Sequence, residues 1–152
     1  MTTIILDAQH VGKAVETTEK LTILQDISFQ LNEGDSLAII GSSGSGKSTL
    51  LGLLAGLDVP TDGEILLAGK ALSQMSEDER ASLRAEHVGF VFQSFQLLES
   101  LTAVENVMLP LELEGKKNAR ERAMELLQRV GLGERTHHYP KQLSGGEQQR
   151  VA

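Results

Sequence analysis

Nine consecutive residues, Gly41-Ser42-Ser43-Gly44-Ser45-Gly46-Lys47-Ser48-Thr49, carry most of the chemistry open to this sequence. They fit the spacing G-x-x-x-x-G-K-[ST], with Gly41 first and Gly46, Lys47 and Ser48 closing it. Gly41, Gly44 and Gly46 let the backbone curl tightly and turn several N–H groups toward one point. A helix beginning near Gly46 adds unpaired N–H groups and the positive end of its dipole. Lys47 supplies a full positive charge for a β- and γ-phosphate. Ser48 places a hydroxyl where Mg²⁺ would sit, and Thr49 backs it up one position on. The chemistry is polyphosphate binding; a plain small-residue turn capping a helix is the simpler alternative.

The flanks favour phosphate. Ser36-Leu37-Ala38-Ile39-Ile40 before the loop predicts a strand covered on both faces, because it does not alternate. Leu50 to Ala55 after it predicts a buried helix, ending near Gly56-Leu57-Asp58. Strand, glycine loop and helix in that order are the context the motif requires.

The remaining elements follow from period and punctuation. Ile4 to Leu6 reads as a short edge strand, and residues 8–20 as a strand end and a loop. Ile27, Phe29 and Leu31 alternate with polar residues, as in a half-buried strand, and 32–35 is a hairpin-like turn. Pro60 to Gly63 is a turn, Glu64 to Ala68 a strand, and Val88 to Phe92 a β-rich run ending at Gln93. Four Ser/Thr/Asn-x-x-Glu pairs predict helix starts: Ser76/Glu79 (to about Arg84), Thr102/Glu105 (stopping before Pro110), Asn118/Glu121 and Ser144/Glu147. After the third, Ala119, Ala123, Leu126, Leu127 and Val130 share one face, with Gly131 placed to end the helix.

Composition narrows the class. The 152 residues predict one domain with a sizeable core, and the apolar and charged fractions are ordinary for a globular protein. A net charge of −7 argues against a general nucleic-acid surface. There is no cysteine, hence no disulfide and no thiolate chemistry. The N-terminal residues lack the basic segment and apolar run of a signal peptide, and no stretch approaches the roughly 20 apolar residues of a membrane span. His10, His87, His137 and His138 match no metal-ligand spacing.

A second glycine stretch separates the classes that share the first. Leu143-Ser144-Gly145-Gly146-Glu147-Gln148-Gln149-Arg150 puts a capping serine and two glycines at a helix start, so that the first N–H groups lie bare. With both motifs in this order, the chain closely resembles the nucleotide-binding subunit of ABC transporters over essentially its whole length. Within them it is most similar to the bacterial lipoprotein-release and macrolide-export branch, through Gly56-Leu57-Asp58-x-Pro60-Thr61-x-Gly63, Val88 to Gln93 and Glu105-Asn106-Val107. The fold class implied is α/β: a P-loop NTPase of the ABC type, with an antiparallel β part and a helical subdomain. The whole chain, 1–152, is then the N-terminal portion of one nucleotide-binding domain. About 1–92 form the P-loop core and β part, and about 93–152 the Q-loop and helical subdomain with the signature.

The resemblance also implies function. ATP and Mg²⁺ are the cofactors, held by Gly41 to Thr49 and by Ser144, Gly145, Gly146 and Glu147. Ser48 and Gln93 are metal-side ligands, and Lys47 and Gln93 the catalytic residues. The implied partners are a second nucleotide-binding subunit, docked head to tail so that each signature faces the γ-phosphate on the other's P-loop, and a membrane-spanning permease. The implied location is cytoplasmic, on the inner face of the cell membrane through that permease. Phe95, Leu97 and Leu98 either line the groove for a permease coupling helix or belong to the subdomain core. A GTPase would want N-K-x-D, which does not occur; chromosome ATPases would want long coiled-coil or zinc-binding insertions.

Two departures qualify the resemblance. The region expected to stack the base, near Ala14 and Val15, has no aromatic residue. Stacking contributes roughly 1–3 kcal/mol per base in nucleic-acid binders, so discrimination between bases should be weak. The family's Walker B strand, catalytic glutamate and switch histidine follow the signature helix, beyond Ala152. The 152-residue chain is therefore expected to be the front part of an ABC ATPase and to hydrolyse little by itself.

Overall fold

A computed structural model describes residues 3–16, 20–92 and 94–152. The chain forms two compact units, Met1–Gly89 and Phe90–Ala152.

The first unit is built on an antiparallel sheet of order β2-β1-β3-β4. Its strands are β1 (Ile4–Glu16), β2 (Lys20–Asn32), β3 (Asp62–Leu67) and β4 (Lys70–Ala71). β1 is thus a long central strand rather than a short edge strand, running through much of the segment read from sequence as a loop. Its register against β2 shifts between Ala8 and Val11 and again near Lys13. Such shifts swap the inward face, which broke the period-2 signal across 8–16. One shift carries two left-handed residues, His10 (φ 51) and Asp26 (φ 50), joined by a 2.7 Å contact between His10 Nδ1 and Asp26 Oδ1. Ala8, Val11, Leu24, Ile65 and Leu67 bury the inner face against helix α1 (Lys47–Leu54), through Leu50, Leu53 and Leu54. Helix α2 (Glu77–His87) adds Leu83 to that core.

The second unit is helical. Helices α3 (Ala103–Leu113), α4 (Ala119–Arg129) and α5 (Gly145–Val151) bury Val104, Ala123, Leu127, Leu143 and Val151 with Leu132. Helix α3 runs through Pro110 instead of stopping before it. Proline removes one N–H, while its own carbonyl still accepts from Glu114 N at 3.1 Å, so a helix already anchored by Val104 continues. Three of the four predicted capping boxes form. The exception is Asn118, whose backbone (φ −109, ψ 31) is not extended, so its side chain makes no cap bond.

Two predicted strands are absent. Residues 36–40 and 88–92 have no ladder partner among the described residues. Only Ile39 of the first run packs on the core, while Ile40 is 91 % exposed. Of the second run Val88 reaches the core, Val91 is exposed, and Phe90 stacks on Phe92 with ring centroids 5.3 Å apart. An apolar run makes a strand only when a neighbouring strand takes its N–H and C=O groups.

Candidate functional site

Residues 41–46 form an exposed loop that enters α1 through Gly46, in the left-handed region at φ 85. No other residue suits that position. A Cβ there would lie 2.9 Å from Leu24 Cδ2 and 3.1 Å from Ile23 O. The loop therefore rests directly on β2, and Gly46 lets it do so. Ile23 and Leu24 lie outside the residues that the motif points to; Leu21 and Ile23 flank polar Thr22 as in a strand, but Leu24 and Gln25 break the alternation before Ile27, where the register shifts.

Helix α1 has no side-chain cap and no acidic residue in its first turn. Leu50 N donates to Gly46 O at 2.8 Å, which leaves Lys47, Ser48 and Thr49 as N–H groups without an intrahelical acceptor. Lys47 folds back over the loop: its Nζ donates to Gly41 O at 2.9 Å and Ser42 O at 2.5 Å, with Ser45 Oγ at 3.4 Å. Bare N–H groups, a dipole end and an ammonium thus converge at one exposed loop. Such an arrangement has the chemistry to receive an anion such as a polyphosphate. Ser48 is exposed on the first turn, a hard oxygen donor suited to Mg²⁺. Gln93 lies outside the described residues.

The second glycine turn is built differently. Ser144 caps α5, and Glu147 returns the bond: Ser144 N and Oγ both donate to Glu147 Oε2 at 2.8 Å, while Glu147 N donates to Ser144 Oγ at 3.3 Å. Arg135 Nε lies 3.4 Å from the other oxygen, Oε1. The Ser144 N–H, then the Ser144 hydroxyl, hold the Glu147 carboxyl below its ordinary range. Phe95 reaches within 3.9 Å of the position a Cβ on Gly145 would take. Leu97 belongs to the helical core, whereas Leu98 is half exposed. Asn106 ties the intervening loop, accepting from Leu98 N at 2.8 Å and donating to Leu101 O at 3.0 Å. Among the described residues no group of three or more His, Asp or Glu side chains could hold a metal ion, and no helix is long and apolar enough to cross a membrane.

The model of the ABC transporter family matches residues 24–152, which include both glycine turns. The chain belongs to the ABC transporter family. Its ABC relatives include the ABC transporter ATP-binding protein YbbA of Escherichia coli K12, 52 % identical over 151 residues, 97 % of this chain and 66 % of YbbA. The lipoprotein-releasing system ATP-binding protein LolD of Hydrogenovibrio crunogenus is 48 % identical over 155 residues, 100 % of this chain and 67 % of LolD. Among solved structures, the ATP-binding cassette MJ0796, a dimer in a post-hydrolysis state bound to ADP and Pi, aligns with a TM-score of 0.85 at 38 % identity. That alignment covers 96 % of this chain and 66 % of MJ0796. The chain thus spans slightly less than two thirds of the length of YbbA and of MJ0796. The ABC ATPase fold anticipated from the two motifs is the one observed.

Proposed function

We propose that the chain is the ATP-binding part of an ABC transporter, working with a membrane-spanning permease and a second nucleotide-binding subunit. The observation that carries this reading is the uncapped N-terminus of α1 with Lys47 folded over the loop. ATP binds with its β- and γ-phosphates on the N–H groups of residues 43–49, and Lys47 leaves the loop carbonyls for phosphate oxygens. Ser48, and in the ATPase Gln93, would hold Mg²⁺, which would supply positive charge to offset that building on the phosphates during hydrolysis. Ser144, Gly145, Gly146 and Glu147 serve the nucleotide held by the other subunit, as the dimeric state of MJ0796 supports. Residues up to about 92 carry the P-loop core, and those from about 93 the subdomain that meets the permease. The likeness to LolD favours extraction or export of a lipid or lipoprotein as the work done.

The test is equilibrium binding of ATP, GTP and inorganic tripolyphosphate to the full chain with and without Mg²⁺. The expected outcome is Mg²⁺-dependent uptake of all three, with ATP and GTP within a few-fold of each other, since Val15 offers no aromatic face. No binding of any of them would end the reading. A strong preference for ATP would refute weak base discrimination alone.

A further inference from the structure

We propose that Thr61, helped by the Lys13–Asp58 pair, is a positioning residue that sets where a nucleotide base can lie relative to the phosphate loop. The proposal rests on the reading of residues 41–49 as a phosphate site. It begins from how α1 is mounted on the β1–β2 hairpin. The N-terminal end of α1 sits on β2 where Gly46 meets Ile23 and Leu24. The strand register then identifies what lies across: Leu24 pairs with Lys13, Thr22 with Ala14, and Leu21 with Val15. Val15 and Leu21, paired across the two strands, are both exposed, so this end of the hairpin offers an open aliphatic pair.

The connector after α1, residues 56–61, is tied to the same segment of β1. The Thr61 hydroxyl accepts from Ala14 N at 3.0 Å and donates to Ala14 O at 3.2 Å. Thr61 N donates to Gly12 O at 2.8 Å. The β1–β3 ladder has its last residue pair at Gly12 and Asp62, so the Thr61 side chain supplies one rung more than the backbone does. Next to it, Lys13 Nζ donates to Val59 O at 2.8 Å and meets Asp58 Oδ2 at 2.6 Å, with the lysine side chain only 15 % exposed.

The segment from Gly46 to Thr61, which contains α1, is thus held at its start on Ile23 and Leu24 of β2 and at its finish on Gly12 and Ala14 of β1. On the proposed reading, the strap governs the offset between the helix N-terminus, to which phosphate is assigned, and residues 14–15, the region to which the family resemblance assigns the base. Affinity for a ligand that touches both places depends on that offset being set in advance; affinity for one that touches only the loop does not.

The experiment compares ATP with inorganic tripolyphosphate, by calorimetric titration of the full chain and of Thr61→Val, Thr61→Ser and Asp58→Asn. Thr61→Val keeps the shape of the side chain and loses both hydrogen bonds. It should weaken ATP binding about three- to ten-fold, the effect of a side-chain hydrogen bond, and leave tripolyphosphate unchanged. Thr61→Ser should restore ATP binding, and Asp58→Asn should give the same pattern at smaller amplitude. Equal loss of both ligands in Thr61→Val would mean a merely structural role and overturn the proposal, as would no change in either. If Thr61→Val does not fold, Asp58→Asn decides by the same two readouts. Failure of the unmodified chain to bind either ligand is a different result: it removes the phosphate site itself, and this inference with it.

Discussion

The turns at 41–46 and at 143–146 both present glycines to the start of a helix, yet they face an anion in opposite conditions. At the first, the opening turn of the helix carries no acidic residue, and a cation is folded over the loop. At the second, Glu147 already occupies the helix end, taking both the N–H and the hydroxyl proton of Ser144. A carboxylate there neutralises the dipole that an incoming phosphate would use. The first turn leaves its N–H groups open to an anion. The second satisfies itself, so that any phosphate arriving there would have to draw the Ser144 hydroxyl away from Glu147 before using it. Two glycine-rich helix starts are therefore not two equal sites, and in a single chain phosphate affinity should reside in the first.

The strongest attempt to break this contrast is Lys47→Ala. Loss of a charge-assisted contact predicts roughly a hundredfold weaker ATP binding by titration, without a fall in melting temperature. Retained affinity would transfer the site elsewhere. Next in size, Gly46→Ala forces a side chain into φ 85 and against Leu24 and Ile23. It should destabilise the first unit by about 1–3 kcal/mol in denaturant unfolding and lower ATP affinity as well. At the other turn, Ser144→Ala should cost about 1 kcal/mol of local stability while ATP affinity of the single chain stays within about twofold. A large loss of ATP affinity there would erase the distinction.

The smallest effect sharpens the contrast through pH. The Glu147 carboxyl is held below its ordinary value of 4.5, first by the Ser144 N–H and then by its hydroxyl. A depressed folded value means that its contribution is complete above the ordinary value and is lost as pH falls through the depressed one. No Asp or Glu lies between residues 36 and 57. Hydrogen exchange on acidification below 4.5 should therefore quicken at the start of α5 before that of α1. Equal responses at both would contradict the assignment of Glu147 as the cap.

Sequence legibility followed the range of the interaction. The glycine turn before α1, α1 itself and the boxes at Ser76, Thr102 and Ser144 were readable because each is settled within about four residues. Asn118 shows the limit: the residue type was right, but its backbone does not take the extended geometry a cap needs. The length of β1 was hidden because register shifts break its alternation. Residues 36–40 and 88–92 had strand composition without the partners that make a strand.

Determined by the sequence alone were the glycine-and-lysine geometry of the first turn and the family membership it signals together with the second, since spacing along the chain dictates which N–H groups and which cation can converge. Only the tertiary structure decided how that turn is mounted. The seat of Gly46 on Ile23 and Leu24 and the strap from Thr61 to Ala14 join residues more than twenty and more than forty positions apart. Strand register sets such contacts, and the local pattern of the chain does not encode it.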